Sequence, residues 1–415
     1  MKIAMVVNPG MGIGGIEVSV QKLYTILAEA GHEVTIVTLG PGRGMSQLVA
    51  ADVKGVCLAI RGHENNVRYV RRVAKHFTAE AYDVLFLNVG TNVKPAILSL
   101  PLLSDSMVVV PIVHADYAWT YAAAKLNADA WNCAVAISPK VRQMLAMQSP
   151  DKPVILIPNG VALPGEAELR IRAAWKTPMR LLFVGRLDKL KGIALLPAIL
   201  AACLKMGIPA RLTVIGDGQD SAALDQAISK TDTQDMVDLW GAKSLPDVYA
   251  AMRKHHILLM PSDAEGFGLV LAEAQANGCV PIASRLPGVT DFIVEDGVTG
   301  LLAEPGNVEE FARQVATLME PVRWLAFSRA GMARARALFS AEAMGIRYVA
   351  FLEDLRRGKY PLAQSRAVPR RRWQTPFTWR DRLPSGIRRP LGRLHRQLTA
   401  GAIRHLFRRH RGAGQ

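Results

Sequence analysis

Short, uniformly apolar runs alternate with helix-length segments along most of this chain, and the alternation starts twice. The first series comprises Ile3–Val7, Val34–Thr38, Val84–Leu87, Met107–Val113, Ala134–Ile137 and Val154–Ile157, with helical segments such as Ile16–Ala30 and Asn65–His76 between them. Runs this short, with no polar alternation, are strands buried on both faces, as in a parallel sheet covered by helices. Turn chemistry interrupts the pattern at Pro158-Asn159-Gly160 and Pro164-Gly165, and a polar stretch runs on to Lys176-Thr177-Pro178. The series then resumes with Leu181–Val184, Leu212–Ile215, Val237–Leu239, Ile257–Met260 and Val280–Ala283, and helical patterns follow at Phe311–Leu318, Arg323–Leu338 and Ala341–Leu355. The expected fold is α/β, with two Rossmann-like, doubly wound domains facing a cleft and a basic C-terminal extension. The expected division is a first domain over 1–165, a second over 178–338, a crossover helix over 339–358 that returns to the first, and a tail over 359–415. A hinge is expected near 160–178.

The net charge of +16 does not belong to the body. Residues 356–415 hold sixteen arginines and Lys359 against one acid, Asp381, so the remaining residues balance to zero. A high pI therefore does not mark the whole chain as a nucleic-acid binder, and no nucleic-acid partner is expected. In the tail, Ile387, Leu391, Leu394 and Leu398 recur at helical spacing with arginines between them, and Ile403, Leu406 and Phe407 continue the apolar face. That is the pattern of a helix lying on an anionic membrane surface. A disordered cationic tail, or one that contacts RNA or protein, has the same composition.

The longest transmembrane candidate, Ala96 to Val113, is broken by Asp105 and two prolines, and the first ten residues do not read as a secretory signal. The four cysteines stand singly with no C-x-x-C, which excludes a zinc or disulfide framework and fits a reducing compartment. A cytoplasmic protein, peripheral at the inner face of the membrane, is the expectation.

Gly10-Met11-Gly12-Ile13-Gly14-Gly15 follows the first strand and opens a helix, reading as G-x-G-x-x-G. A dinucleotide site would need an acid at the end of the second strand for the ribose, and Val34–Gly40 ends without one. What survives is a set of backbone amides that can approach phosphate or sugar, or simply a tight strand-to-helix turn.

The second series carries more chemistry. Gly185-Arg186 through Lys191-Gly192 follows a buried strand, where ligands of parallel sheets bind. A guanidinium and an ammonium five residues apart suit a diphosphate. Pro261 to Ala274 follows the next strand, placing Glu265 in a loop, Gly266 and Gly268 where backbone can approach a ligand, and Glu273 a little over one turn into a helix. Two carboxylates so placed can each hold vicinal hydroxyls. A solvated loop with an Arg186–Asp188 ion pair, and a solvated helix acid at Glu273, are the bland readings.

Taken together, residues 1–355 resemble the retaining glycosyltransferases of family 4, which have the two-domain GT-B fold. The resemblance rests on Gly14-Gly15-Ile16-Glu17, Ile157-Pro158-Asn159-Gly160-Val161, Gly185-Arg186 with Lys191-Gly192, Gly216-Asp217-Gly218, the E-x7-E pair Glu265 and Glu273, and Asp296 to Leu302. It implies an acceptor-side first domain and a nucleotide-sugar-binding second domain. It implies that Arg186 and Lys191 bind the donor diphosphate, Glu273 the ribose, and Glu265 the transferred sugar near its anomeric carbon. Gly14 and Gly15 would close on the diphosphate from the other domain. Gly266, Phe267, Gly268, Leu269 and Val270 would line the donor, and His114 would lie near the donor sugar unless it is a buried structural histidine. Asp291 stands where the family commonly has Glu, and His255-His256 replaces the usual Ala-Asp. The acceptor site does not carry over.

With no D-x-D sequence in the chain, no cofactor and no divalent metal are expected, the two cations taking the metal's place. The expected activity is sugar transfer from a nucleotide-diphosphate sugar to a saccharide or lipid-linked acceptor, in bacterial surface polysaccharide or glycolipid synthesis. A nucleotide-sugar epimerase or a non-catalytic binding module on the same scaffold are the alternatives.

Overall fold

The computed structural model describes residues 1–8, 14–40, 53–165, 168 and 178–360. Most of the expected hinge, the glycines at 10 and 12, and the tail beyond 360 lie outside the described residues.

The first sheet is built from β1 (Lys2–Val7), β2 (Glu33–Thr38), β3 (Gly55–Cys57), β4 (Val84–Val89), β5 (Val108–Val113), β6 (Ala134–Ala136) and β7 (Val154–Leu156). All its pairs are parallel, in the order β3-β2-β1-β4-β5-β6-β7 among the described residues. Helices α1 (Gly15–Glu29), α2 (Asn66–Glu80), α3 (Lys94–Ser99), α4 (Ala118–Lys125) and α5 (Pro139–Gln148) cover it.

The second sheet repeats the plan with β8 (Met179–Val184), β9 (Ala210–Ile215), β10 (Val237–Gly241), β11 (Ile257–Met260), β12 (Val280–Ser284) and β13 (Leu301–Ala303), in the order β10-β9-β8-β11-β12-β13. Its helices are α6 (Leu195–Lys205), α7 (Ser221–Thr231), α8 (Leu245–Lys254), α9 (Leu269–Ala276), α10 (Thr290–Ile293), α11 (Val308–Thr317) and α12 (Pro321–Phe339).

The apolar runs are strands for the reason the sequence suggests. Ile3 to Val7, Val84 to Leu87 and Ile257 to Met260 are all buried, on both faces of a sheet. Helix starts are fixed locally: Asn65, Ser138, Ser244, Asn307 and Ser340 each accept a hydrogen bond from the backbone N–H three residues on. Each such cap contributes about 1 kcal/mol.

The chain reverses strand order twice, once between β1 and β4 and once between β8 and β11. At such switch points the loops beyond the strand ends diverge and leave a crevice. One crevice is bordered by the start of α1, the other by the loops after β8 and β11.

The last helix, α13 (Ala341–Arg356), leaves the second sheet and packs on α1 and the first sheet. Tyr348 meets Phe86 of β4 edge-on, with ring centroids 6.0 Å apart. Gly345 lies against Ile26, where an added Cβ would come within 2.8 Å of Cγ2. Where the chain crosses, Val161 N–H donates to Phe339 O (2.7 Å) and Ala341 N–H to Val161 O (2.9 Å). Among the described residues no helix is long and apolar enough to cross a membrane.

Candidate active site

The loops after β9, β8 and β11 are pressed together by two glycines. Gly192 adopts φ +65° at the end of a single 3-10 turn, and any Cβ there would strike the Pro261 carbonyl. Gly216, at φ +149°, packs its Cα on the Gly185 carbonyl in the same way. Asp263 N–H then donates to Leu190 O at 2.8 Å. The result is one continuous rim made from three adjacent strand ends.

On that rim the Lys191 ammonium reaches Glu265 Oε1 at 2.6 Å, and the Ser262 hydroxyl donates to the same oxygen at 2.9 Å. The cation and the loop carboxylate thus form one unit, whereas the sequence suggests separate tasks for them. Arg186 is placed differently. Its side chain is 71% exposed, and its Nε donates to Asp188 Oδ2 at 2.8 Å. Asp188 Oδ1 is buried with no hydrogen bond. Arg186 and Lys191 therefore rise from one loop but hold different carboxylates.

Glu273 lies buried on α9 and accepts from the Tyr249 hydroxyl at 3.2 Å. Burial raises its carboxyl above the ordinary carboxylate range, against the pull of Lys22 on α1. Burial likewise lowers Lys22, which donates to the Gly160 carbonyl at 3.2 Å. A carboxylate of one sheet's helix thus feels an ammonium of the other's.

The first sheet supplies the opposite wall. Gly15 begins α1 directly against Leu269 at the start of α9, since a Cβ on Gly15 would lie 3.0 Å from Leu269 Cδ1. Gly14 N–H is capped by Glu17 Oε2 at 3.0 Å, so one amide of that helix end already holds a carboxylate. Gly266 fits against the end of β5, where a Cβ would be 2.7 Å from Ala115 Cα and 2.5 Å from His114 O.

His114 is buried there, and burial pushes its imidazole down to about 4. The Asn88 amide donates through Nδ2 to Val6 O (3.0 Å), so Asn88 Oδ1 accepts from His114 Nε2 at 2.9 Å. The ring is thus neutral, with its proton on Nε2 and an acceptor lone pair on Nδ1 that has no hydrogen bond.

Two family models match consecutive stretches that together cover most of the chain: glycosyltransferase family 4 over residues 13–163, and glycosyl transferases group 1 over residues 166–321. The chain belongs to glycosyltransferase family 4. D-inositol 3-phosphate glycosyltransferase of Pseudarthrobacter chlorophenolicus is 26% identical over 383 residues, covering 79% of this chain and 88% of that protein. The same-named protein of Segniliparus rotundus is 34% identical over 192 residues, but only 42% of its length is spanned. Among solved structures, Anabaena HepE in complex with UDP and glucose superposes with a TM-score of 0.72 at 19% identity, over 85% of this chain and all of that one. That likeness concerns the fold, and the fold is GT-B.

Within this glycosyltransferase one expected donor-lining side chain is misplaced. Phe267 is buried and meets Phe339 edge-on at 5.9 Å, so its ring belongs to the core and only its backbone borders the loop. Gly268, at φ +85°, turns the chain into α9, while Leu269 and Val270 are partly buried. The His255-His256 departure is structural: His255 bridges Ala251 O (2.7 Å) and Thr213 Oγ1 (2.9 Å), and His256 Nδ1 accepts from Arg180 N–H (3.0 Å). Asp291 accepts from Gly288 N–H at 2.7 Å through Oδ1.

Sequence reasoning missed Lys22, Tyr249, Ser262 and Asn88. Lys22 carried no signal, because a lysine on an amphipathic helix reads as solvated. Asn88 had a weak one, as the single polar residue in the run Val84–Val89. Among the described residues no cluster of three or more His, Cys, Asp or Glu is placed to hold a metal ion.

Proposed function

We propose that this glycosyltransferase moves a sugar from a nucleotide-diphosphate sugar to a saccharide or lipid-linked acceptor with retention at the anomeric carbon. The observation that carries the reading is the Lys191–Glu265 pair at the junction of two strand ends, facing the α1 start and His114 across Gly266 and Gly15. An incoming diphosphate competes for Lys191 and frees Glu265 for the sugar. Arg186, exposed on the same loop, adds a second cation with a planar fork. Glu273, between Tyr249 and Lys22, is the candidate for the ribose diol, and His114 Nδ1 can accept from a sugar hydroxyl. The UDP and glucose in HepE support the donor class.

In the reaction the anomeric C–O bond breaks and its electron pair stays on the diphosphate, while the acceptor oxygen forms the new bond from the same face. The acceptor proton passes to the departing phosphate oxygen. Catalysis then consists of stabilising the new charge with preorganised cations and amides. No metal is needed in this scheme.

Similarity to a phosphatidyl-myo-inositol mannosyltransferase of Mycolicibacterium smegmatis and to the amylovoran biosynthesis glycosyltransferase AmsK of Erwinia amylovora supports a role in glycolipid or surface polysaccharide synthesis, and the basic amphipathic pattern of the tail supports contact with an anionic membrane at the inner face. The test is a thermal-shift panel of nucleoside diphosphates and sugar nucleotides, followed by turnover with extracted membrane lipids. Stabilisation by one nucleotide class and acceptor-dependent product support the reading. Product without acceptor favours an epimerase, and binding without product favours a non-catalytic module.

A further inference from the structure

The chain beyond His114 forms a small rigid platform. Asp116 accepts from the Tyr121 hydroxyl at 2.6 Å through Oδ1, and its other oxygen has no hydrogen bond among the described residues. Tyr117 and Trp119 lie with ring planes 11° apart and centroids 6.4 Å apart, an offset parallel stack. Trp119 is 52% exposed, so much of its indole is open to a ligand. Buried Thr120 ties the backbone beneath, its hydroxyl meeting Ala115 O at 2.8 Å and Tyr117 N–H at 3.3 Å. Ala115 in turn abuts Gly266, next to Glu265. The platform thus begins at the point where the two walls of the candidate active site touch.

We propose that Asp116, Tyr117 and Trp119 form the acceptor subsite, and that its ligand is a pyranose ring. This rests on the transferase reading above. A pyranose has an apolar C–H face and a rim of hydroxyls. A flat indole covers the face and a carboxylate accepts from the rim, the pairing of aromatic wall and few polar groups that small-ligand sites use. A lipid chain would gain nothing from Asp116. Because Thr120 and Tyr121 hold the loop in place, little ordering is left to do on binding.

The experiment titrates methyl and octyl pyranosides (gluco, galacto, manno and N-acetylglucosamine) into the full chain and follows tryptophan fluorescence, with 1-octanol as the lipid arm. Trp119→Phe serves to isolate the Trp119 signal. Pyranosides are expected to change that signal, and 1-octanol is not. In turnover with octyl glycosides, Trp119→Ala and Asp116→Asn should each raise acceptor KM about tenfold, roughly the effect of one good contact, with donor KM and the nucleoside diphosphate thermal shift unmoved. Trp119→Phe, which keeps a smaller aromatic face, should raise acceptor KM by less than Trp119→Ala. The proposal is overturned if no pyranoside alters the Trp119 signal, if 1-octanol alters it equally, or if acceptor KM is unchanged in Trp119→Ala. Loss of nucleotide binding by the wild type would instead sink the transferase reading, since pyranoside binding is read without donor.

Discussion

Lys191 and Glu265 stand 2.6 Å apart although they leave the sheet from different strands, β8 and β11. Both are largely shielded from water, so neither charge is cheap to leave alone. Lys191→Met should cost about 3 kcal/mol in urea denaturation by stranding the carboxylate. Turnover should fall by at least about 100-fold. Adding Glu265→Gln should return most of the stability and none of the turnover. A Lys191→Met chain as stable as wild type would show that the pair does not couple.

Arg186 should behave in the opposite way. Its guanidinium is exposed and paired at the surface, so Arg186→Ala should change stability by less than about 1 kcal/mol. As a donor to the leaving diphosphate it should still cost roughly 100- to 1000-fold in rate. Unchanged turnover would remove it from the site.

Burial of His114 has a signature in pH. Its folded value of about 4 lies below the ordinary 6.5, so the unfolded chain takes up this proton first. Its contribution to stability is therefore complete above pH 6.5 and is lost as pH falls toward 4, by about 1.4 kcal/mol per unit. The difference in urea midpoint between wild type and His114→Gln should change across that window and be flat above it. A flat difference throughout would mean the imidazole is not buried neutral.

Excess EDTA should leave glycosyl transfer intact, because lysine and arginine supply the positive charge at the diphosphate. Complete loss, restored by magnesium or manganese, would overturn that division of labour.

A chain ending at Tyr360 keeps the ring contact between Tyr360 and Phe351 and the whole of α13. It lacks fourteen arginines. Each near an anionic leaflet contributes about 1 kcal/mol, so the full chain should pellet with phosphatidylserine vesicles and the truncated one should not. Equal pelleting would move membrane contact to the body.

The parts of this fold that were readable are those where one force dominates. Central strands such as β1, β4 and β11 lie between two helical layers, so every position is apolar and the run announces itself. Of the edge strands, β7 and β10 were legible as apolar runs, but β3, with two of its three residues exposed, and β13, only three residues long, were not. In the candidate site, the placing of Glu265, Lys191 and the glycines beside them on strand-end loops was readable because each loop follows a recognisable apolar strand. Their mutual pairing was not, since it depends on how tightly Gly192 lets two loops close. Lys22 and Phe267 fail for the same reason in opposite senses. One is shielded by packing from the far sheet and the other is drawn into the core by Phe339, and neither event is local in sequence.

Val161 and Ala341 tie the outgoing and returning chains side by side with two backbone hydrogen bonds. The two bonds clip the start of α13 to the segment that leaves the first sheet, so the returning chain cannot slide along the outgoing one without breaking both.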